Sequence, residues 1–595
     1  MSAEKLITES AMDGVNVDTA GAIIDHIDIW TSAVQAKSAS GRGSGKKREL
    51  YGIKKLRELI LELAVRGKLV PQDPSDEPAS VLLERIAAEK AQLVKDGKIR
   101  KDKNHSAIEL SDIPYELPNG WEWSRLGNVS SASTGFAFKT SQYQENGTFV
   151  LRVTNINVDG SINKNDNKYI SPISASEEFS KYQLAKDDIL LVMVGGSLGK
   201  LGRVTEDVLP AVLNQNMWKL DRFGAMPVEY FLCGLTHINS HQIQITASTH
   251  GHLAQGEYMD KLFPVPPLAE QHRIVAKVDE LMALCDQLEQ QTKASLDAHQ
   301  VLVETLLATL TNSQDATELM GNWGRISEHF DTLLTTEQSI EQLKQTILQL
   351  SVMGKLVPQD PNDEPAAKLL ERIAEEKAQL IKEKKIKKQK ALPPIAEDEK
   401  PFELPKGWEW SRFGQVVVLK SGCTFGQDRE GETGTIYCKV GDMNLDGNFE
   451  EITTSSRYIQ PLSGEKSALI PAASIIFPKR GGAIATNKKR YVRRDIFVDP
   501  NIMATTPSSF LKLEYVMTWL DGFDLASLNS GTSVPQINNK DIDPLLFPVP
   551  PLAEQKRIVD QVDLLLALCD QIKQRLRDSQ QTQLQLTDAI VEQAL

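Results

Sequence analysis

With 595 residues and a formal net charge of −13, the chain is too long for one ordinary core and too acidic to coat nucleic acid without specificity, although local basic patches can still bind phosphate. Its five cysteines, Cys233, Cys285, Cys423, Cys438 and Cys569, form no CxxC pair and only nine histidines accompany them, so neither a zinc ribbon nor a disulfide framework is readable and a reducing cytoplasm fits. No basic-then-apolar leader occurs, nor an apolar run of the ~18 residues that span a bilayer, so a soluble cytoplasmic protein with no membrane segment is expected.

Residues 1–114 read as an N-terminal helical region holding a basic linker, 33–49, whose SASGRGSGKKR at Ser38–Arg48 is either a solvated loop or a phosphate contact. Within this region GKLVPQDPSDEPA at Gly67–Ala79 marks a turn, and LLERIA and EKAQL follow on a charged helix. A first mixed domain is expected over 115–267. It opens with ELPNGWEWSRLG at Glu116–Gly127 and contains short β-type runs such as DILLVMV at Asp188–Val194, bounded by Gly, Asn and Pro clusters. It closes on LFPVPPLAEQ at Leu262–Gln271, where proline and an acidic residue suit the start of a helix. Beyond it Ile274, Val278, Leu281, Cys285 and Leu288 step alternately by four and three, the seam of a coiled coil in which cysteine is a small apolar residue.

The pattern is then written again. GKLVPQDPNDEPA returns at Gly354–Ala366 inside a central helical spacer region, 268–401, and ELPKGWEWSRFG at Glu403–Gly414 opens a second domain, 402–551. LFPVPPLAEQ at Leu546–Gln555 starts a C-terminal spacer helix, 552–595, with Ile558, Val562, Leu565, Cys569 and Ile572 in the same steps. The first two blocks recur 287 positions on (67 to 354, 116 to 403) and the third 284 (262 to 546), so one long unit is duplicated with small length changes. The bodies between the blocks, 128–261 and 415–545, differ from each other, and SIIF at Ser474–Phe477 is a β-type run of the second. Each body has a normal domain size, about 130 to 150 residues.

No catalytic or metal residue is assigned. GGSLGKLGR at Gly195–Arg203 has the look of a phosphate loop, but Leu201 follows the GK and Val194 stands where the first glycine belongs. There is no HExxH, GxSxG or Rossmann fingerprint, and no Asn-Pro-Pro-Tyr of the kind that grips a flipped base. Glu375–Lys377 reads as a solvated helical face. What remains is basic and amide chemistry in the two bodies. In the second, Lys479, Arg480, Lys488, Lys489, Arg490, Arg493 and Arg494 cluster with Gly481, Gly482 and Asn487, and Lys439 and Gln536 join the set. In the first, the candidates are Lys139, Arg152, Asn155, Lys200, Arg203, Asn214 and Asn216. Such residues contact phosphate, and Arg and Asn read guanine and adenine edges by paired hydrogen bonds. One of them alone is an exposed solvated residue; the set, on a duplicated frame, favours DNA.

PLAEQHRIVAKVDEL at Pro267–Leu281, PLAEQKRIVDQVDLL at Pro551–Leu565, the two GWEWSR blocks, DILLVMVGGSLGK and GTSVPQINNKDI at Gly531–Ile542 make the chain resemble the specificity (S) subunits of type I restriction-modification enzymes, from Leu50 to the C-terminus. The GKLVPQDP blocks resemble the subgroup often called type IB. The resemblance implies an α+β fold: two mixed α/β target-recognition domains joined by long antiparallel coiled-coil helices in an internal pseudo-two-fold repeat. It implies a noncatalytic subunit whose domains each read half of an asymmetric bipartite site on double-stranded DNA. The helices would dock two modification (M) subunits, which carry S-adenosylmethionine and methylate adenine. Two restriction (R) subunits would bring ATP and Mg2+, and no cofactor would be bound by this chain. Because HGHLAQ at His250–Gln255 stands against GTSVPQ at Gly531–Gln536, the resemblance carries a DNA role to that turn in the second body alone. Two other classes are open to the residues, a fused methyltransferase-nuclease with no motif or length to house it, and a coiled-coil scaffold that leaves the divergent bodies unexplained.

Overall fold

The computed structural model describes residues 17–37, 47–99, 105–172, 177–243, 252–314, 316–388, 391–528 and 535–595. The chain forms two compact units, Met1–Ala294 with Gln580–Leu595, and Ser295–Ser579. This division cuts across the sequence-based segments: the spacer region 268–401 is shared between the units, and the end of the C-terminal helix belongs with the first.

In the first unit α1 (Tyr51–Val65) buries Ile53, Leu56, Leu59, Ile60 and Leu63 along one helical face. It stops at Gly67, whose φ of +67° favours glycine and where a Cβ would lie 2.4 Å from Cγ of Pro118. After the GKLVPQDP turn, α2 (Ala79–Lys95) buries Ala79, Leu82 and Ile86. The body that follows holds strands β1 (Glu122–Arg125), β2 (Ser130–Thr134), β3 (Thr148–Leu151), β4 (Tyr169–Ile170), β5 (Gln183–Leu184), β6 (Ile189–Val192), β7 (Leu201–Arg203), β8 (Ala211–Leu213) and β9 (Met217–Arg222), then helix α3 (Val228–His237) and β10 (Leu262–Val265). Two four-stranded sheets result, an antiparallel β2-β9-β6-β7 and a mixed β4-β3-β8-β5 in which β3 and β8 run parallel. The unbroken apolar run of β6 is explained by burial on both faces: Leu190 and Val192 enter the core with Phe149, Leu151 and Leu213, while Ile189 and Leu191 join the core of α1 and α2. β10 pairs antiparallel with β1, Leu262 opposite Arg125, and leads into the 44-residue α4 (Leu268–Thr311).

The second unit repeats this plan. It contains α5 (Glu337–Val352), α6 (Ala366–Lys382), β11 (Glu409–Arg412), β12 (Val417–Ser421), β13 (Thr435–Cys438), β14 (Tyr458–Ile459), β15 (Ser474–Pro478), β16 (Arg490–Val492), β17 (Phe497–Val498), β18 (Ile502–Pro507), α7 (Leu513–Asp521), β19 (Leu546–Val549) and the 43-residue α8 (Leu552–Ala594) as far as Ser579. Its sheets are β12-β18-β15-β16 and β14-β13-β17, with β19 paired to β11. β15 alternates as β6 does, Ile475 and Phe477 to the helical core and Ile476 to the inner core.

The repeated blocks meet at one buried joint in each unit, which explains their recurrence. Glu270, 1 % exposed, accepts hydrogen bonds from Nε1 of Trp121 (3.0 Å) and Nε2 of Gln72 (3.2 Å), so PLAEQ, GWEW and LVPQ share a carboxylate. Glu554 does the same for Trp408 (3.0 Å) and Gln359 (3.1 Å). Beside them Arg273 pairs with Asp76 and Arg557 with Asp363, both at 2.5 Å. The glutamate of PLAEQ is thus an acceptor for buried donors as well as a charge at a helix start, and burial raises the proton affinity of both carboxyls. Arg125 donates to the carbonyls of Ser106, Ala107 and Asp260, and Arg412 to those of Pro393, Pro394 and Pro544.

Three expectations are corrected or refined. The seam residues Ile274, Val278, Leu281, Cys285 and Leu288 are buried in one core with Ile53, Leu56 and Ile60 of α1 and with Ile590. Ile558, Val562, Leu565 and Cys569 are likewise buried, and Ile572 partly so, in the core that holds Ile340, Leu343 and Ile347 of α5. Within each unit the four-three stripe therefore packs on a short neighbouring helix, with Arg57 reaching Asp286 (2.6 Å) and Lys344 reaching Asp570 (2.5 Å). Burial pushes the Cys285 and Cys569 thiols up to about 12 and about 11, so both are inert apolar packing. Second, Glu375–Lys377 is no solvated face: Glu376 accepts from Ser508 and from Ser509 N (3.2 Å), and Lys377 donates to the carbonyl of Gly414. Glu89 and Lys90 clasp the first body in the same way, at Gly224 N (2.8 Å) and the Gly127 carbonyl. Third, the ends of the basic linker 33–49 form a hairpin, Val34–Lys37 against Lys47–Leu50, while 38–46 lie outside the described residues. Among the described residues no helix is long and apolar enough to cross a membrane.

Candidate nucleic-acid interface

In the second body the basic cluster sits where β15 ends. Lys479 and Arg480 follow the strand, a short turn of 3-10 helix covers Gly481–Thr486, and Asn487 takes a left-handed φ of +52° that reverses the chain into β16. The stretch 535–538 runs alongside: Gly481 N donates to Pro535 O (2.8 Å), Ile537 N to Lys479 O (2.9 Å), and Nη2 of Arg480 to Oε1 of Gln536 (3.1 Å). Gln536 in turn donates to Asn538 Oδ1 (2.7 Å). Lys479, Arg480 and Gln536 are thereby brought together, and Lys479 bonds Ser421 Oγ at 2.6 Å. Burial and then the Arg480 charge lower the proton affinity of Lys479, with Asp499 opposing. Arg480 and Lys488 hydrogen-bond only neutral partners among the described residues, Gln536 and Asn444. An excess of positive charge held by neutral side chains suits an incoming phosphate.

The rest of the cluster is used internally. Lys489, 6 % exposed, donates to Phe523 O (3.0 Å) and Asn487 Oδ1 (3.1 Å), and burial lowers its proton affinity against the pull of Asp521. Arg490 donates to the carbonyls of Asn448 (2.5 Å) and Lys489 (2.8 Å). Asn487 itself accepts from Leu525 N (2.9 Å). These three build the turn, and the expectation that Lys489 and Arg490 face DNA is corrected: their donors are spent inside the body. Lys439 is paired with Glu430 at 2.6 Å, and Arg493 with Glu451 at 3.2 Å.

The first body offers fewer cations. Lys139 is exposed beside an aromatic cluster of Phe136, Phe138, Phe179 and Tyr182, and Lys200 is half-buried at the end of the GGSLGK turn. Neither has an acidic partner among the described residues. Arg152 pairs with Asp166 (2.6 Å), and Arg203 with Asp187 (2.6 Å) and Glu229 (3.0 Å). Asn155 is 0 % exposed and accepts from Arg152 N (3.0 Å), and Asn214 is buried, its backbone bridging Phe136. Both lie too deep to read a base, so that expectation is corrected; Asn216 is half-buried. The register of the two bodies is also corrected. Val194 bridges His252 as Arg480 bridges Gln536, so His252, rather than Gln255, occupies the position of Gln536. Residues 244–251 and 529–534, which include His250 and Gly251 of HGHLAQ and the GTSV of GTSVPQ, lie outside the described residues.

One constellation with metal-ligand chemistry escaped the sequence reading. Glu62, His237 and His241 bring one ligand atom each within 4.8 Å of one another. The signal in the sequence was the spacing of HINSH at His237–His241, which places both rings on one helical face.

Comparison with known proteins agrees with the two-body plan. A family model described as the type I restriction modification DNA specificity domain matches twice, at 118–298 and 405–579. The chain is 41% identical over 603 residues to the type I restriction enzyme EcoAI specificity subunit of Escherichia coli, covering 96% of this chain and 99% of that one. It is 40% identical over 599 residues to the EcoEI specificity subunit of the same organism, with 96% and 99% covered. A solved structure on complex assembly and conformational transition of the type I R-M system superposes with a TM-score of 0.48 at 17% identity, covering 81% of this chain and 99% of that one. With two specificity domains on a duplicated frame and full-length relatives above 30% identity, the chain belongs to the DNA specificity subunits of type I restriction-modification enzymes.

Proposed function

We propose that this subunit reads an asymmetric bipartite site on double-stranded DNA, one half with each body, and carries no catalysis of its own. The observation behind this reading is the contrast between the joints and the loops. Trp121–Glu270–Gln72 and Trp408–Glu554–Gln359 are the same joint twice, whereas the loops above them differ: Lys479, Arg480, Lys488 and Gln536 in one body, Lys139, Lys200 and Asn216 in the other. A frame repeated in detail suits two copies of one partner, and divergent loops suit two different half-sites. The partners are two M subunits docked on the long helices, which would run antiparallel about a pseudo-two-fold axis, and two R subunits. S-adenosylmethionine, ATP and Mg2+ belong on those partners, and the assembly would work in the cytoplasm. The test is genome-wide mapping of methylated adenine in cells given this chain and its M partner. A single motif of two defined halves around a fixed spacer is expected; an uninterrupted motif, or methyl transfer by the purified chain without M, would refute the reading.

A further inference from the structure

We propose that Glu62, His237 and His241 form a binding site for one zinc-class divalent ion, which pins α1 to the end of α3 in the first unit. The three ligands come from two elements. Glu62 lies in the last turn of α1, His237 is the last residue of α3, and His241 lies one turn on, where the helix widens into a π-helical turn over Ile238–Gln242. Such a turn is uncommon and often marks a functional site. The widened turn stacks the two imidazoles, 4.8 Å between ring centroids at 28°. Both present Nδ1 to one carboxylate oxygen: Oε2 of Glu62 is 3.0 Å from His237 Nδ1 and 3.7 Å from His241 Nδ1. An ion held at the ~2.0–2.2 Å bonds of zinc to imidazole and carboxylate needs its ligand atoms ~3.3 Å apart when tetrahedral. The two separations from Glu62 bracket that value and all three ligand atoms lie within 4.8 Å of one another, so the imidazoles must turn toward a common centre to close on the ion.

The surroundings suit a permanent ion. Glu62 and His237 are buried, their side chains 9 % and 3 % exposed, while His241 is open to solvent and offers a route in and room for a water as fourth ligand. Arg66 Nε donates to the other carboxylate oxygen of Glu62 at 2.9 Å, which fixes the carboxylate plane with Oε2 turned to the histidines. Tyr115 stands edge-on to His237, 5.7 Å between centroids, and donates to Val65 O, closing the apolar side. An ion at this point takes the place of two hydrogen bonds of the metal-free chain, His237 Nδ1 to Glu62 Oε2 (3.0 Å) and His241 Nδ1 to the His237 carbonyl (3.2 Å). Two imidazoles and one carboxylate select zinc, cobalt or nickel over the harder magnesium and calcium. The site is no part of the shared frame, because the repeat places Gln349, Gly522 and Ala526 at the three positions in the second unit, and none of these is a charged or imidazole ligand.

The test is isothermal titration of zinc, and of cobalt with its visible spectrum, into the full chain, freed of metal by chelator and carrying no histidine tag. One saturable ion per chain is expected, with the affinity falling at least ~10-fold in His241→Ala and in Glu62→Gln and unchanged in His329→Ala. Zinc should also raise the melting temperature of the parent chain and not that of His241→Ala. His241 is exposed, so its variant reports on binding even if Glu62→Gln folds poorly. Absence of a saturable ion in the parent chain, or equal affinity in His241→Ala, would overturn the proposal.

Discussion

Replacing Lys479, Arg480 and Lys488 together by alanine tests where the second body meets DNA. The three side chains hydrogen-bond Ser421, Gln536 and Asn444, none of them acidic, so each cation is available to a phosphate. Each phosphate contact contributes about 0.9 to the slope of log affinity against log salt, so losing three flattens it by up to ~2.7. Between 50 and 200 mM salt a change of that size is a roughly 40-fold difference in the affinity lost. Fluorescence anisotropy of a duplex carrying the mapped site, titrated with the assembled complex across that range, reads the slope directly. Lys489→Ala is the matched control. It strips the donor from Phe523 O in a buried turn, which costs about 1–3 kcal/mol, while Asn487 Oδ1 keeps its bond from Leu525 N; urea unfolding should show the loss while the salt slope stays put. An unchanged slope in the triple variant, or an equal flattening in Lys489→Ala, would refute the assignment.

Gly67→Ala and Gly354→Ala should each destabilise their own unit by about 1–3 kcal/mol in urea unfolding, because φ is near +68° at both and a Cβ would lie 2.4 Å from Cγ of Pro118 or Pro405. Burial pushes the Lys377 ammonium down from 10.5 to about 8, against the attraction of Asp543. Between about pH 8 and 10.5 the unfolded chain therefore holds a proton that the folded chain has lost, and stability must rise with pH across that window. The stability of the parent chain relative to Lys377→Met, measured by denaturant unfolding at each pH, should climb through it; a flat difference would show Lys377 to be charged in the fold.

The frame was legible in the sequence because its signals are local and doubled. LFPVPPLAEQ, the four-three steps after it and the recurring GKLVPQDP and GWEWSR blocks placed both long helices and both bodies. Their meeting on Glu270 and on Glu554 was not legible, since Trp121 and Gln72 lie 149 and 198 positions from that carboxylate and no local pattern encodes the approach. The basic cluster was read by charge density, which cannot tell a cation facing solvent from one consumed in a turn. Lys488 and Lys489 are neighbours after the left-handed Asn487, yet Lys488 is half-buried and reaches Asn444 while Lys489 is buried on Phe523 O. The pairing of His250–Gln255 with Gly531–Gln536 slipped by three residues because the turns share no anchor of their own; the bridges from Val194 and Arg480 set the register. Glu62 and His237 were missed for the reason that hid the joint, a separation of 175 positions closed only by packing.

The account rests on each body reading its own half-site on a shared frame. The most direct measurement replaces residues 128–261 with the corresponding body of another family member and maps methylated adenine genome-wide beside the parent chain, with the same M subunit. One half of the bipartite motif should change while the other half and the dependence of methylation on the M subunit stay as they were. A change in both halves at once, or in neither, would contradict it.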